Sequence, residues 1–190
     1  MEVTVAIAIV TLIVCGIFYN LYVGVIKAKN KTQEAFSSID VQLKKRYDLI
    51  PNVLKIANKF MEHERNLLEE LTSLRTQAMG IKDTLDSSKE KFNLDKQIVS
   101  KMSEFMVAVE NYPDLKSDKT MVEAMQAFQD AEEHIAAARR FYNSAVLELN
   151  NKVEIFPSSI FAAMCGIAKQ EFFEAEEVAR ASINASDYLK

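Results

Sequence analysis

Residues 36–78, FSSIDVQLKKRYDLIPNVLKIANKFMEHERNLLEELTSLRTQA, decide the fold. Along them one register returns every three or four residues without a slip: Phe36, Ile39, Leu43, Arg46, Ile50, Val53, Ala57, Phe60, Glu64, Leu67, Leu71, Leu74 and Ala78. Only Arg46 and Glu64 break its apolar character. A period near 3.5 residues keeps one stripe on one side of a helix and makes that helix wind left-handedly around its neighbours. At 1.5 Å per residue the stripe is about 63 Å long. Pro51 lies inside it, and proline removes an amide donor and crowds the preceding turn. The phase nevertheless passes from Ile50 to Val53 unaltered, with Pro51 beside the stripe. The residues predict a continuous but kinked helix; a true break, with Asp48 capping a second helix, is the alternative.

Beyond the stripe, GIKDTLDSS (80–88) collects helix breakers and capping residues. A second helix is predicted over about 89–111, with Ile98, Met102, Phe105 and Val109 on one face. Tyr112–Ser117 forms a turn, and Ser117 or Asp118 is placed to cap the next helix. That third helix repeats the stepping through Met121, Met125, Phe128, Glu132, Ile135, Arg139, Tyr142, Val146, Leu149, Val153 and Phe156, again with two polar members. Ile160–Ala168 (IFAAMCGIA) is apolar but far too short to span a bilayer, so it is a packed or interfacial element. The tail from Lys169 is polar and helix-prone, with Phe172 and Phe173 as anchors. No strand pattern occurs.

Upstream, Val3–Ile26 (VTVAIAIVTLIVCGIFYNLYVGVI) contains no charge. As a helix it spans roughly 36 Å, enough to cross a hydrocarbon core of about 30 Å with some tilt. Tyr19 and Tyr22 lie near its C-terminal end, where amphipathic rings favour the headgroup layer. A cleaved secretory signal would carry a basic leader, but only Met1-Glu2 precedes the stretch. A lipoprotein cleavage would need a small residue where Val14 precedes Cys15. Lys27, Lys29 and Lys31 follow the span, so the positive-inside rule places the N-terminus outside and the rest inside.

The composition, 49% hydrophobic and 26% charged, suits a folded helical protein. A net charge of −4 argues against sequence-independent nucleic-acid binding, which needs a basic face. Cys15 and Cys165 lie far apart in hydrophobic surroundings and read as buried, inert thiols of a reducing compartment. A di-iron bundle needs Glu-x-x-His pairs, yet Phe60 and Ala131 stand three before His63 and His134. No phosphate loop or nucleophile elbow is present. Neither a catalytic site, nor a metal, nor a cofactor is expected.

The polar seam residues are the exceptions. Arg46, Glu64, Glu132 and Arg139 either snorkel at the seam edges or pair between helices and set register. Arg46 and Glu64 lie about 27 Å apart along a helix and Glu132 and Arg139 about 10 Å, so both cross-pairs cannot form at once; Glu64 with Arg139 is the single pair expected, with Arg75 then serving Glu132. A further expectation rests on length. The second helix is too short to cover the first stripe, so Phe36, Ile39, Leu43 and Ile50 should stay exposed near the membrane, where an apolar stripe marks an interface. Self-association would cover it; the C-terminal tail folding back is the rival.

Several segments resemble the bacterial LemA family: Ile39–Asn52 (IDVQLKKRYDLIPN), His63-Glu64, Tyr112–Lys116 (YPDLK), Arg139–Asn143 (RRFYN), Phe156–Ser158 (FPS), Gly166 and Phe172-Phe173. The likeness is collinear over nearly the whole chain. It implies an N-terminal anchor, an elongated helical domain and no established enzymatic activity. Some members are tied to membrane-organelle formation and others are lipoproteins; Val14 departs from the lipoprotein pattern, so lipidation is not carried over.

The sequence thus predicts an all-α chain. Residues 1–26 form a transmembrane anchor. Residues 27–157 form an elongated antiparallel helical bundle with coiled-coil character, built from a long kinked first helix and two further long helices. Residues 158–190 form a short apolar element and a polar helical tail. The expected role is a membrane-anchored scaffold that self-associates and organises or remodels membrane; the alternative is an adaptor or sensor regulating a partner membrane protein. Its expected partners are the lipid bilayer, further copies of itself and an unidentified protein, with no nucleic acid and no small-molecule substrate. Its expected place is the inner (cytoplasmic) membrane of a bacterium, N-terminus outside and helical domain cytoplasmic.

Overall fold

The computed structural model describes residues 1–174. The fold is all-α, with no strand among the described residues. Helix α1 (Glu2–Ala57) is uninterrupted for 56 residues, roughly 84 Å at 1.5 Å per residue. Then come α2 (Arg65–Gly80), a 3-10 turn over Leu85–Ser87, α3 (Ser88–Val109), the short α4 (Pro113–Ser117), α5 (Lys119–Glu154) and α6 (Ser158–Met164). Asp118 caps α5 by accepting from the Met121 amide at 2.9 Å.

Two stretches of α1 meet different surroundings. Its first twenty residues are exposed throughout, and the most apolar window has a mean hydropathy of 2.3 with none of it buried. This is the one helix among the described residues that is long and apolar enough to cross a membrane. Its polar side chains are satisfied on the helix itself: the Thr11 hydroxyl donates to the Ile7 carbonyl at 2.9 Å and the Asn20 amide to the Gly16 carbonyl at 2.9 Å. From Val25 onward one face is buried. The boundary at residue 26 therefore falls inside a continuous helix.

Helix directions follow from the side-chain pairs. Lys31 meets Glu148 at 2.6 Å and Arg46 meets Glu132, so α5 runs antiparallel to α1. Asp40 pairs with Lys91 and Arg46 with Asp95, so α3 runs parallel to α1. Helix α2 reverses between them. The closest backbone pairings are α1 with α5 and α2 with α3. Small residues permit the first: beside Ala28 and Ala35, the Thr32 hydroxyl lies 3.0 Å from the Ala28 carbonyl and 3.2 Å from that of Ala145 across the interface.

Four expectations are corrected. The first helix does not reach Ala78. It passes through Pro51, ruling out the break at Asp48, but ends at Ala57 and reverses over Asn58–Glu64. At the reversal Met61, rather than Phe60, becomes fully buried. The register could not reveal this, because a 3.5-residue stepping looks the same when the chain doubles back.

Second, the stripe Phe36, Ile39, Leu43, Ile50 is not an open interface: each is 1% exposed or less. The length comparison used the wrong partner. Helix α5, with 36 residues, covers α1 where α3 does not. The returning C-terminal segment also contributes, since Phe173 stacks on Phe92, itself edge-on to Phe36.

Third, residues 167–174 are non-helical, while the tail beyond lies outside the described residues. Fourth, Cys165 is exposed, as is Cys15. Cys165 follows the last turn of α6. There Gly166, at φ 63°, turns the chain, and the Ile167 amide donates to the Ala162 carbonyl at 2.9 Å. This left-handed turn closes the end of α6.

Candidate functional site

Charges in a helical core are costly unless matched, which makes the middle of this bundle the chemically distinctive region. Helix α1 contributes Asp40, Arg46 and Tyr47; α3 contributes Lys91 and Asp95. All are buried. Arg46 is 0% exposed and reaches Asp95 with one terminal nitrogen and Glu132 of α5 with the other. Its Nε lacks a hydrogen-bond partner. The Tyr47 hydroxyl donates to Asp95 at 3.0 Å, and burial pushes its pKa far up, keeping it a neutral donor. Lys91 joins Asp40 and also reaches Asp83 at 2.7 Å. Lys44 binds Asp83 at 2.5 Å and Asp40 at 3.0 Å. Hydrogen bonds from Lys44 and Lys91 hold the Asp83 carboxyl down at about 2.

The predicted seam residues divide. Arg46 and Glu132 enter the network, paired with each other. Arg75 does not serve Glu132. Its Nε donates instead to the Tyr47 carbonyl at 2.9 Å, and its terminal nitrogen lies 3.4 Å from Asp48. Tyr47 is four residues before Pro51, so its carbonyl is the acceptor that the proline deprives of an amide. Arg75 replaces the missing backbone donor.

Glu64 and Arg139 are not joined by an ion pair among the described residues. Glu64 precedes α2, where its carbonyl accepts from Leu68. The Arg139 guanidinium lies 4.5 Å above the Phe173 ring.

Asp40, Lys44, Tyr47, Asp83, Lys91 and Asp95 are the members that sequence reasoning missed, and a signal for two of them was present. Extending the α3 register backward from Ile98 by three and then four residues lands on Asp95 and Lys91.

A second feature lies beside the network. Asn143 donates to the Phe173 carbonyl at 3.0 Å and accepts from its amide at 2.8 Å. Two turns on, Asn150 treats Gln170 the same way, both bonds at 2.9 Å. The Tyr142 hydroxyl donates to the Glu171 carbonyl at 3.1 Å. Helix α5 thus holds an extended backbone segment. Between it and α3 lies a groove of about 660 Å³ whose lining includes Lys89, Asp95, Lys96, Arg139 and Lys169.

Among the described residues, no group of three or more His, Cys, Asp and Glu side chains is placed to hold a metal ion. The arrangement can fix helix register and presents a groove of mixed charge, in which Lys89 pairs with Glu171 and Lys169 with Glu154.

Comparison with known proteins agrees with the segments quoted above. Protein LemA of Metamycoplasma hominis is 27% identical to this chain over 176 residues, spanning 90% of this chain and 79% of that protein. The profile of the LemA family matches residues 35–186, which takes in the stripe, the buried charges, the asparagine pair and the aromatic returning segment. On that match, the chain belongs to the LemA family.

Proposed function

We propose that this LemA-family chain is a membrane-anchored helical scaffold: a rigid post that stands in the inner membrane of a bacterium, organises material at the bilayer surface and assembles with further copies. One observation carries the reading. A single helix leaves the exposed apolar stretch and enters the packed bundle without a linker, so the bundle is held at a set angle to lipid. Lys27, Lys29 and Lys31 directly after the apolar stretch favour an outside N-terminus and a cytoplasmic bundle. Because the α1 stripe is filled from within, assembly in this reading runs through outward faces.

The adaptor reading, in which the bundle regulates a partner membrane protein, is favoured by the charged groove beside α3. Size measurement of the full chain in detergent, with imaging in liposomes, separates the two. Regular multi-copy assemblies are expected of a scaffold. A uniform monomer in both settings would overturn that reading and leave the adaptor.

A further inference from the structure

The corner between α5 and α6 carries large apolar side chains that the bundle does not use. Ile155, Phe156, Ile160 and Met164 are 58%, 76%, 47% and 77% exposed. They stand in a stretch, Ile155–Ala168, that contains no charged residue. Elsewhere on the bundle, exposed apolar side chains such as Val41, Val122 and Leu147 stand singly in sequence, and Met106 and Val107 form only a pair.

The position of this corner identifies what it meets. Phe161 of α6 contacts Phe18 of α1, ring centroids 5.6 Å apart. Ala162 and Ile167 are buried with Val25, Ala28 and Leu149. Phe18 lies eight residues inside the C-terminal end of the charge-free stretch at Ile26, about 12 Å along the helix axis. Helix α6 is therefore level with membrane-spanning turns, not beyond them. Lys27, Lys29 and Lys31 follow the stretch directly. A Cβ at Gly24 would stand 3.8 Å from the Lys152 ammonium, which sets that cation near the end of the span. Glu154 and Lys169 bracket the corner and neutralise each other in an ion pair.

The backbone of the corner is also prepared for an apolar medium, where an unpaired polar group is expensive. The Ser158 hydroxyl and the Ser159 amide both donate to the Ile155 carbonyl, at 2.8 and 3.0 Å. The Cys165 amide donates to Phe161, and those of Gly166 and Ile167 to Ala163 and Ala162.

We propose that Ile155, Phe156, Ile160 and Met164 form a second lipid contact, a shallow wedge seated in the boundary layer of the same bilayer leaflet that α1 leaves. The occupant of this surface is lipid acyl chain, to the limited depth characteristic of elements lying in the interface. The wedge rests on the reading of α1 as a span, and it goes beyond that reading. It gives the bundle two points of attachment, so that it cannot turn about the α1 axis, and it displaces lipid in one leaflet only.

The native cysteines supply the test. Cys165 adjoins Met164 and is exposed, while Cys15 lies on the apolar stretch. The full chain is spin-labelled at Cys165 in a Cys15→Ala background and reconstituted in phosphatidylcholine–phosphatidylglycerol liposomes. Collision with oxygen, which enriches in lipid, is compared with collision with a water-soluble nickel chelate. Label on Cys15 (with Cys165→Ala) is the lipid reference, and label on Lys55→Cys in the cysteine-free chain is the water reference.

The expected result is an oxygen-to-chelate ratio at Cys165 several-fold above that at position 55. Phe156→Glu with Met164→Glu, both at exposed positions, should lower it to the water value while leaving Cys15 unchanged and the circular dichroism helical. A water-like ratio at Cys165 with a lipid-like Cys15 overturns the wedge and spares the span. Water-like ratios at both sink the span, and the wedge with it. Shielding of Cys165 from both reagents means that a second copy, not lipid, covers the corner, and overturns the proposal.

Discussion

At the scale of single residues, Arg46 decides whether the core is matched. Its side chain is fully buried against a buried Asp95, while Glu132 is 40% exposed and can turn to water. Removing one member of such a pair leaves the other charged in low dielectric, which costs about 3–5 kcal/mol, whereas replacing both with apolar side chains is often neutral. Arg46→Met is thus expected to lower the unfolding midpoint by roughly 6–20 °C, taking about 2–4 °C per kcal/mol for a chain this size. Adding Asp95→Leu should restore most of it. Thermal melts of both variants in the same detergent check this, and a double variant as unstable as the single would reject it. Asp83 acts differently because it is half-exposed. Its pKa, about 2 in the fold against an ordinary 3.8, means that folding favours the ionised form. The stabilisation is therefore fully present above about pH 4 and disappears as pH falls toward 2. Solvent screening keeps it below about 1 kcal/mol. Asp83→Asn should flatten the acid limb of stability between those pH values, lowering stability by up to that amount near neutrality and hardly at all at pH 2, as urea midpoints across pH would register.

At the scale of elements, α1 survives a proline because α2 mends it. Proline at 51 leaves the Tyr47 carbonyl without its helical donor, and Arg75 supplies one at 2.9 Å. Arg75→Met should cost about 1–3 kcal/mol, the penalty of stranding a shielded acceptor. In a Pro51→Ala background the restored amide of residue 51 satisfies that carbonyl, so the same substitution should cost markedly less. A double-mutant cycle with a coupling above about 0.5 kcal/mol is expected; strict additivity would show that Arg75 matters for Asp48 instead. The same region shows what the sequence makes legible. Periodicity reports which residues face a seam, and Ile39, Leu43, Ile50, Phe105, Ile135 and Tyr142 are all buried. It is blind to chain reversal: Phe60 and Glu64 continue the α1 phase by coincidence across the turn at 58–64, where neither glycine nor proline marks the end. Partner choice is equally invisible. Arg46 and Glu132 stand out as charges in apolar registers, but Asp95 and Lys91 sit at the polar end of theirs, where a charge looks like a solvated flank. Arg75 is outside every register, and its role becomes visible only once α2 lies alongside Pro51.

At the scale of the whole molecule, the decisive property is mechanical. A linker between the apolar stretch and the bundle would let the bundle tumble, whereas one helix shared by both transmits any tilt of that stretch directly. Bending is resisted where α5 grips α1, through Thr32 against the Ala145 carbonyl and the Lys31–Glu148 pair. At the end of the apolar stretch Val25 and Ala28 pack with Leu149 and Ala162. No glycine follows Gly24 within α1, and Pro51 is compensated by Arg75, so no hinge of the usual kinds lies between the apolar stretch and the far end of the helix. Spin labels at Cys15 and Lys55→Cys, with Cys165→Ala, are separated by forty residues of continuous helix, or about 60 Å. Dipolar distance measurement in liposomes should return a single narrow distribution near that value. Replacing Thr32 and Ala28 with bulky leucines should broaden it, because pushing α5 away leaves the junction unsupported. A broad distribution in the native chain would mean that the helix flexes at the membrane surface, and a post that cannot hold its angle cannot serve as a scaffold of fixed geometry.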